Sequence, residues 1–312
     1  TGTGPYAASI TIVGTAPAGV MGIQCRTQDV SLIFSPNVKS VDGAITMTAT
    51  GGGPSLLGAP SGALLLEGDG DVGTVFLPNV ESTGTATIDL TGTVLDSSSA
   101  GSAGIHVDFG GGVRTVSGDI TMMGTGGNLA AGFSPGIHIG SGAIQSTGTG
   151  ATAADITLTG VGGGTGVDNV GVLIAPDNAF ETFGRVNAVD GNITINGTAG
   201  GTENDDIRID SIDAGRETFT TGTGNITLNG LAGDIHLLNG GLAEAQGTGD
   251  ITVTTVQDLR VRGTTLGALI GTTTGIGTFT IGRDINVEGG TAASALAIIT
   301  TGSSSTFTVG RD

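Results

Sequence analysis

The chain has 312 residues, of which 61 are Gly, 28 are acidic and 10 are basic, giving a formal charge of −18. Average Gly usage is about 7%, but no strict Gly-X-Y period runs through the excess, so collagen is excluded. Positive mean hydropathy argues against disorder, and no apolar run approaches the roughly 18 residues of a membrane-spanning helix.

Strong helix formers such as Lys, Glu, Gln and Arg are scarce. There is one Lys (Lys39), whereas Thr, Gly, Val and Ile abound. That mix favours short strands joined by tight turns. A nucleic-acid binder needs a basic face to neutralise phosphates, and ten scattered cations do not supply one. Anionic membrane surfaces are disfavoured for the same reason, so neither nucleic acid nor membrane insertion is expected. An acidic, Lys-poor surface is common on secreted proteins. Cys25 is the sole cysteine and cannot form an internal disulfide. The chain opens at Thr1 with no leader-like segment, and it is expected to be a processed or excised piece.

In chain order, one motif recurs: a small or polar residue, an apolar one, usually Thr, then an apolar one. It reads SITI at 9–12, AITM at 44–47, TIDL at 87–90, DITM at 119–122 and DITL at 155–158. It continues as NITI at 192–195, NITL at 225–228, DITV at 250–253, TFTI at 278–281 and TFTV at 306–309. Its first apolar positions run from Ile10 and Ile45 to Ile251, Phe279 and Phe307, at spacings of 25 to 43 residues. A period near 30 that wanders is the mark of a solenoid with variable turns.

Within each period a second apolar-x-apolar triplet follows. Examples are Ile105-His106-Val107, Ile137-His138-Ile139, Ile207-Arg208-Ile209, Ile235-His236-Leu237 and Leu259-Arg260-Val261. A weaker third segment precedes the next motif, as at Val186 and Ala188. Three short alternating strands per period predict one coil of a parallel β-helix. The apolar pairs face inward and the Thr between them (Thr11, Thr46, Thr121, Thr157, Thr194, Thr227, Thr252, Thr280, Thr308) faces outward. Alternation fixes the register, because a slip by one residue would turn every apolar pair outward. Gly is expected at the corners, where φ > 0 is tolerated.

The fold expected is all-β: a right-handed single-stranded parallel β-helix of about ten coils, each of roughly 25–43 residues with three short strands, in one domain over 1–312. At about 4.8 Å per coil the rod is on the order of 45–50 Å long. A propeller lacks its blade signatures here, and a sandwich would not show this self-similarity.

The segments FTIGRDINVEGG (279–290), NITLNGLAGDIHLLNGG (225–241) and FTVGRD (307–312) resemble filamentous-haemagglutinin-type repeats. They are also similar to the β-strand repeats of autotransporter-type bacterial surface proteins. The resemblance covers most of the chain as pattern, most clearly 190–312. It implies secretion across a bacterial envelope, a right-handed β-helix and an adhesive or scaffolding role rather than catalysis.

The chain opens with TGTG, which precedes strands elsewhere, and closes on Val309-Gly310-Arg311-Asp312, which matches Ile281-Gly282-Arg283-Asp284. Uncapped coils template further pairing, so end-to-end self-association is expected, or else continuation of a longer polypeptide.

Several positions invite a site. His106, His138 and His236 share an outward column with Arg208 and Arg260, which could face a ligand such as an acidic sugar. The plainer expectation is that outward strand positions carry polar residues. Asp206, Asp234, Asp258 and Asp284 precede the second triplet; Asp119, Asp155 and Asp250, with Asn192 and Asn225, precede the first. Asx side chains form corners by default. Ca²⁺ between stacked carboxylates is the rival, best placed at Glu203, Asp205 and Asp206 or at Asp69 and Asp71.

Parallel β-helices also host polysaccharide-cleaving enzymes. Here the carboxylates are spread one per coil, and Tyr6 is the only Tyr or Trp that could stack on a sugar. No GxSxG, HExxH, P-loop or Rossmann signature appears, and the Gly runs at 51–53, 110–112 and 162–164 lack a following Lys-Ser/Thr. Accordingly no catalytic, cofactor-binding or metal-ligating residue is assigned and no enzyme is expected. Cys25 is expected as a small buried hydrophobe. Asn192, Asn196 and Asn225 head sequons that Thr-rich strands generate by chance. The function expected is that of a structural bacterial surface element, secreted and extracellular: a filament subunit or adhesin shaft, with surface glycans as further partners. The alternative is a secreted polysaccharide-binding or polysaccharide-cleaving β-helix.

Overall fold

The computed structural model describes residues 7–17, 20–26, 38–52, 61–68, 78–95, 102–127, 132–166, 169–176, 184–201, 205–210, 218–220, 222–264, 266–290 and 297–310. They form a parallel β-helix whose three faces are three parallel sheets, of ten, nine and nine strands. Among the described residues no helix is long and apolar enough to cross a membrane.

The first sheet is built from the recurring motif. Its strands are Ile10–Thr15, Ile45–Gly51, Ile88–Val94, Ile120–Thr125, Ile156–Val161, Ile193–Thr198, Ile226–Gly230, Ile251–Thr255, Ile276–Ile281 and Ser304–Val309. Each pairs with its counterpart one coil away, so sequence repeats become spatial columns. The second sheet runs from Ile23–Arg26 through Ser61–Glu67, Ser102–Asp108, Ile137–Ile139 and Val172–Ile174 to Asp205–Asp210, Asp234–Leu238, Leu259–Arg262 and Ile285–Glu288. The third includes Val38–Ser40, Val80–Ser82, Gly112–Thr115, Ala143–Ser146, Arg185–Ala188 and Ala297–Thr300.

The core is a stack of apolar columns. Ile45, Ile88, Ile120, Ile156, Ile193, Ile226 and Ile251 lie in one inward column and have no exposed surface. Met47, Leu90, Met122, Leu158, Ile195, Leu228, Val253 and Phe279 form the next. Burying each such side chain stabilises the fold by about 1.5–3 kcal/mol.

One expectation needs correcting at the carboxy-terminal side. Ile251 pairs with Gly277, and Phe279 pairs with Val253. Phe279 and Phe307 therefore belong to the second inward column, and Thr278 and Thr306, not Thr280 and Thr308, continue the first Thr column. A slip of two residues preserves the facing of every side chain, which one residue would not. Volume explains the choice. A Cβ on Gly277 would stand 2.2 Å from Thr301 Cγ2 and 2.9 Å from Phe279 Cε2, so the missing side chain makes room for Thr301 and the ring together.

The glycines also do more than expected. Eight described glycines have positive φ. Many others are required by close approach instead. At the end of the first-sheet strand in the fifth coil, a Cβ on Gly160 would lie 2.0 Å from the Gly171 carbonyl oxygen. Backbone meets backbone where the first sheet turns into the second, and no larger residue fits.

The outward columns of the first sheet are the Thr positions. The first holds Thr11, Thr46, Asp89, Thr121, Thr157, Thr194, Thr227, Thr252, Thr278 and Thr306. The second holds Val13, Thr48, Thr91, Met123, Thr159, Asn196, Asn229, Thr254, Thr280 and Thr308.

Candidate functional site

The second sheet carries the residues singled out as a ligand strip, and the structure divides them. Register places Leu65, His106, His138, Leu173, Arg208, His236, Arg260 and Asn286 in one outward column. His106 and His138 are not exposed, however: 0% and 1% of their surface is accessible. Their rings stack in parallel with centroids 4.7 Å apart, and the Phe133 ring meets His138 edge-on. His138 Nε2 lies 2.9 Å from the Ala175 carbonyl oxygen. Beside them Asp108 accepts from the backbone N–H and hydroxyl of Ser141. In these coils the outer face of the second sheet is covered, so the histidines pack as a second, smaller interior.

The column opens to solvent from Arg208 onward. There Arg260 Nη2 binds Asp234 Oδ2 at 2.8 Å and Asp258 Oδ2 at 3.3 Å. Arg283 Nε binds Asp258 Oδ1 at 3.0 Å, and its Nη2 lies 3.5 Å from Asp234 Oδ1. His236 Nδ1 lies 3.4 Å from Asp205. The carboxylates sit at the strand entrances, almost wholly buried, and each arginine reaches over them from outside. Burial pushes the Asp234 carboxyl above its ordinary range, against the opposing pull of the Asp258 amide and of Arg260. Next to this clamp a cavity of about 230 Å³ is lined by His236, Arg260, Arg262, Asn286 and Glu288.

Asp206 does not stack with the others. Asp205 pairs with Asp234, and Asp206 is the extra residue of a bulge. Its buried carboxylate accepts the backbone N–H groups of Ala199 and Ala232, at 2.6 and 2.7 Å, and that of Gly233. Two adjacent aspartates therefore divide the work, one toward His236 and one toward the turns.

The Asx residues before the first sheet form the corner ladder expected of them. Asp119 Oδ1 accepts the Asp155 amide at 2.9 Å; Asp155 Oδ1 accepts the Asn192 amide at 2.8 Å. Asn192 then accepts from Asn225, Asn225 from Asp250, and Asp250 from Ile276. Each side chain closes the corner of the coil above. Asn196 and Asn229 similarly bond along the outer face, Nδ2 of Asn229 to Oδ1 of Asn196 at 2.8 Å. All three sequon asparagines are thus structural hydrogen-bonding groups.

Among the described residues no group of three His, Cys, Asp or Glu is arranged to hold a metal ion. Glu203, Asp69, Asp71 and Tyr6 lie outside the described residues. Cys25 is buried, and that burial pushes its thiol up to about 11.

Two positions had no strong sequence signal. Asn79 is wholly buried: Oδ1 accepts the Gly112 amide at 2.8 Å, while Nδ2 donates to the carbonyls of Cys25 and Glu67. It ties three coils together, and only its place beside Pro78 in a turn hinted at a role. Asp190 accepts backbone amides from Gly150 at 2.7 Å and Thr223 at 2.9 Å, which hold its carboxyl below the usual range.

The chain matches no family model, no curated protein and no solved structure.

Proposed function

We propose that this protein is a non-catalytic structural element of a bacterial cell surface, the shaft of an adhesin or a subunit of an extracellular filament. The observation that carries this reading is the unbroken stacking of ten first-sheet strands in parallel. A rod of that kind resists bending because every coil is hydrogen-bonded to the next along the axis. The carboxylates of Asp234, Asp258, Asp206 and Asp250 are engaged by arginines or backbone amides. A further coil, from the same polypeptide or a second copy, would extend the ladder from Ser304–Val309, where Phe307 stacks on Phe279 and is 47% exposed. Electron microscopy combined with sedimentation over a range of concentrations tests this. Rods that lengthen in steps with concentration support self-association; compact particles overturn the shaft reading.

A second reading, a secreted polysaccharide-binding or polysaccharide-cleaving β-helix, rests on the cavity beside the Asp234–Arg260 clamp. Release of reducing ends from polysaccharides, abolished by Asp258→Asn, would favour it over the shaft.

A further inference from the structure

Coil stacking accounts for the inward columns of the first sheet but not for its outward ones. Nine of the ten positions in the first outward column are Thr, and the second column adds six Thr and two Asn. Adjacent strands set these hydroxyls about 4.8 Å apart across the sheet, and alternate residues set them roughly 6.6 Å apart along each strand. The result is a two-dimensional grid across ten stacked strands.

Sheet stability does not explain the grid. Cross-strand Thr pairs stabilise any sheet face, so a stability role would enrich Thr on all three. The second sheet instead carries Arg208, His236 and Arg260, and the third carries Lys39, Glu81 and Arg114. The Thr grid belongs to one face alone.

Its charge is the second clue. In a chain of formal charge −18, the two Thr columns contain one ionisable residue, Asp89. A face stripped of charge complements a surface that has none. It also holds no aromatic ring on which a sugar could stack. What it does expose beside the hydroxyls is apolar: Val13 at 69%, Met123 at 52% and Val161 at 40%. Methyl groups order the water against them, and hydroxyls supply both a donor and acceptors to anchor it.

We propose that the outward Thr face of the first sheet binds ice. The ligand is crystalline water, an uncharged lattice of donors and acceptors that repeats on the scale of the grid. Each Thr contributes little, but a rigid array engages many lattice points at once, so weak contacts sum as in multivalent binding. A dissolved small molecule would touch only a few of them. This reading is independent of the shaft role and of the Asp234–Arg260 clamp.

The test uses the purified chain and follows the shape and recrystallisation of ice crystals. The native chain is expected to facet growing crystals and to suppress recrystallisation. Thr157→Lys and Thr194→Lys, both partly exposed and in the middle of the grid, are expected to abolish the effect. Glu244→Lys, a partly exposed change on the third sheet, is expected to leave it intact. Circular dichroism on each variant confirms that the fold survives, and Thr194→Tyr provides a second block of the face should either Lys variant unfold. A native chain without effect on ice overturns the proposal. So does full activity in the Thr variants, or binding to crystalline cellulose or chitin particles with no effect on ice.

Discussion

The first and second sheets both back onto inward apolar columns, yet their outer faces share almost nothing. The first is a partly exposed grid of Thr and Asn with one ionisable residue, Asp89, in its two columns. The second is covered over His106 and His138 and then studded with Arg208, His236, Arg260 and Arg262. Four of the chain's ten basic residues (Arg208, Arg260, Arg262, Arg283) gather at that open end. Packing dictates most of the interior, where apolar pairs in register fill the stack and the buried Ser40, Thr115, Thr220 and Thr272 of the third sheet bond to backbone carbonyls. The exterior is free of that demand, so differences between faces report what each face meets.

The largest effect should come from the core on which both faces rest. Ile193 is wholly buried between Ile156 and Ile226. Ile193→Ala is expected to cost about 2–5 kcal/mol in urea unfolding. Its outward neighbour Thr194 should tolerate Ala within about 0.5 kcal/mol. Equal costs at the two positions would dissolve the distinction between a packed inside and a free outside.

Next comes the clamp on the charged face. Arg260→Met removes the 2.8 Å partner of Asp234 Oδ2, on a carboxylate with 1% side-chain exposure, while Oδ1 keeps the Asp258 amide at 2.8 Å and the longer contact with Arg283. An unsatisfied buried group costs about 1–3 kcal/mol. Arg262→Met breaks only an exposed pair, 3.4 Å from Glu288, and should cost less than about 1 kcal/mol. The difference between these two midpoints measures how far the charged face is structural.

Much of this was readable in the residues, and the failures have physical causes. Ile10 through Ile251 and the Thr beside them lie where alternation puts them, because one-residue slips expose the whole core. Phe279 was misaligned because TFTI copies the pattern of DITV, and a two-residue slide leaves that pattern intact. The true register sets the small Gly277 opposite Ile251 and Phe279 opposite Val253, and that pairing is a property of two coils together. His106 and His138 were placed on the correct face. Alternation names a face but not what covers it, so their burial was invisible. The Asp205-Asp206 pair offered no sign of which residue bulges. The corner ladder from Asp119 to Asp250 was legible, since Asx before a strand has a local reason to be there.

The smallest effect separates two acids of opposite sign. Asp190, at the corner leading into the first sheet, is held ionised by the Gly150 and Thr223 amides, so its folded-state pKa is depressed. Its contribution is present above the ordinary carboxylate range and is lost as pH falls through the folded value. Asp234, on the charged face, is raised by burial. The folded state then holds that proton more tightly than the unfolded state, so its contribution is present below the ordinary range and fades as pH rises through the folded value. Urea midpoints between acid and neutral pH should therefore flatten in Asp190→Asn and fall more steeply on acidification in Asp234→Asn. If both variants shift the acid limb the same way, backbone amides and burial do not act oppositely on the two carboxylates. The charged face would then titrate no differently from the corner beside the Thr grid.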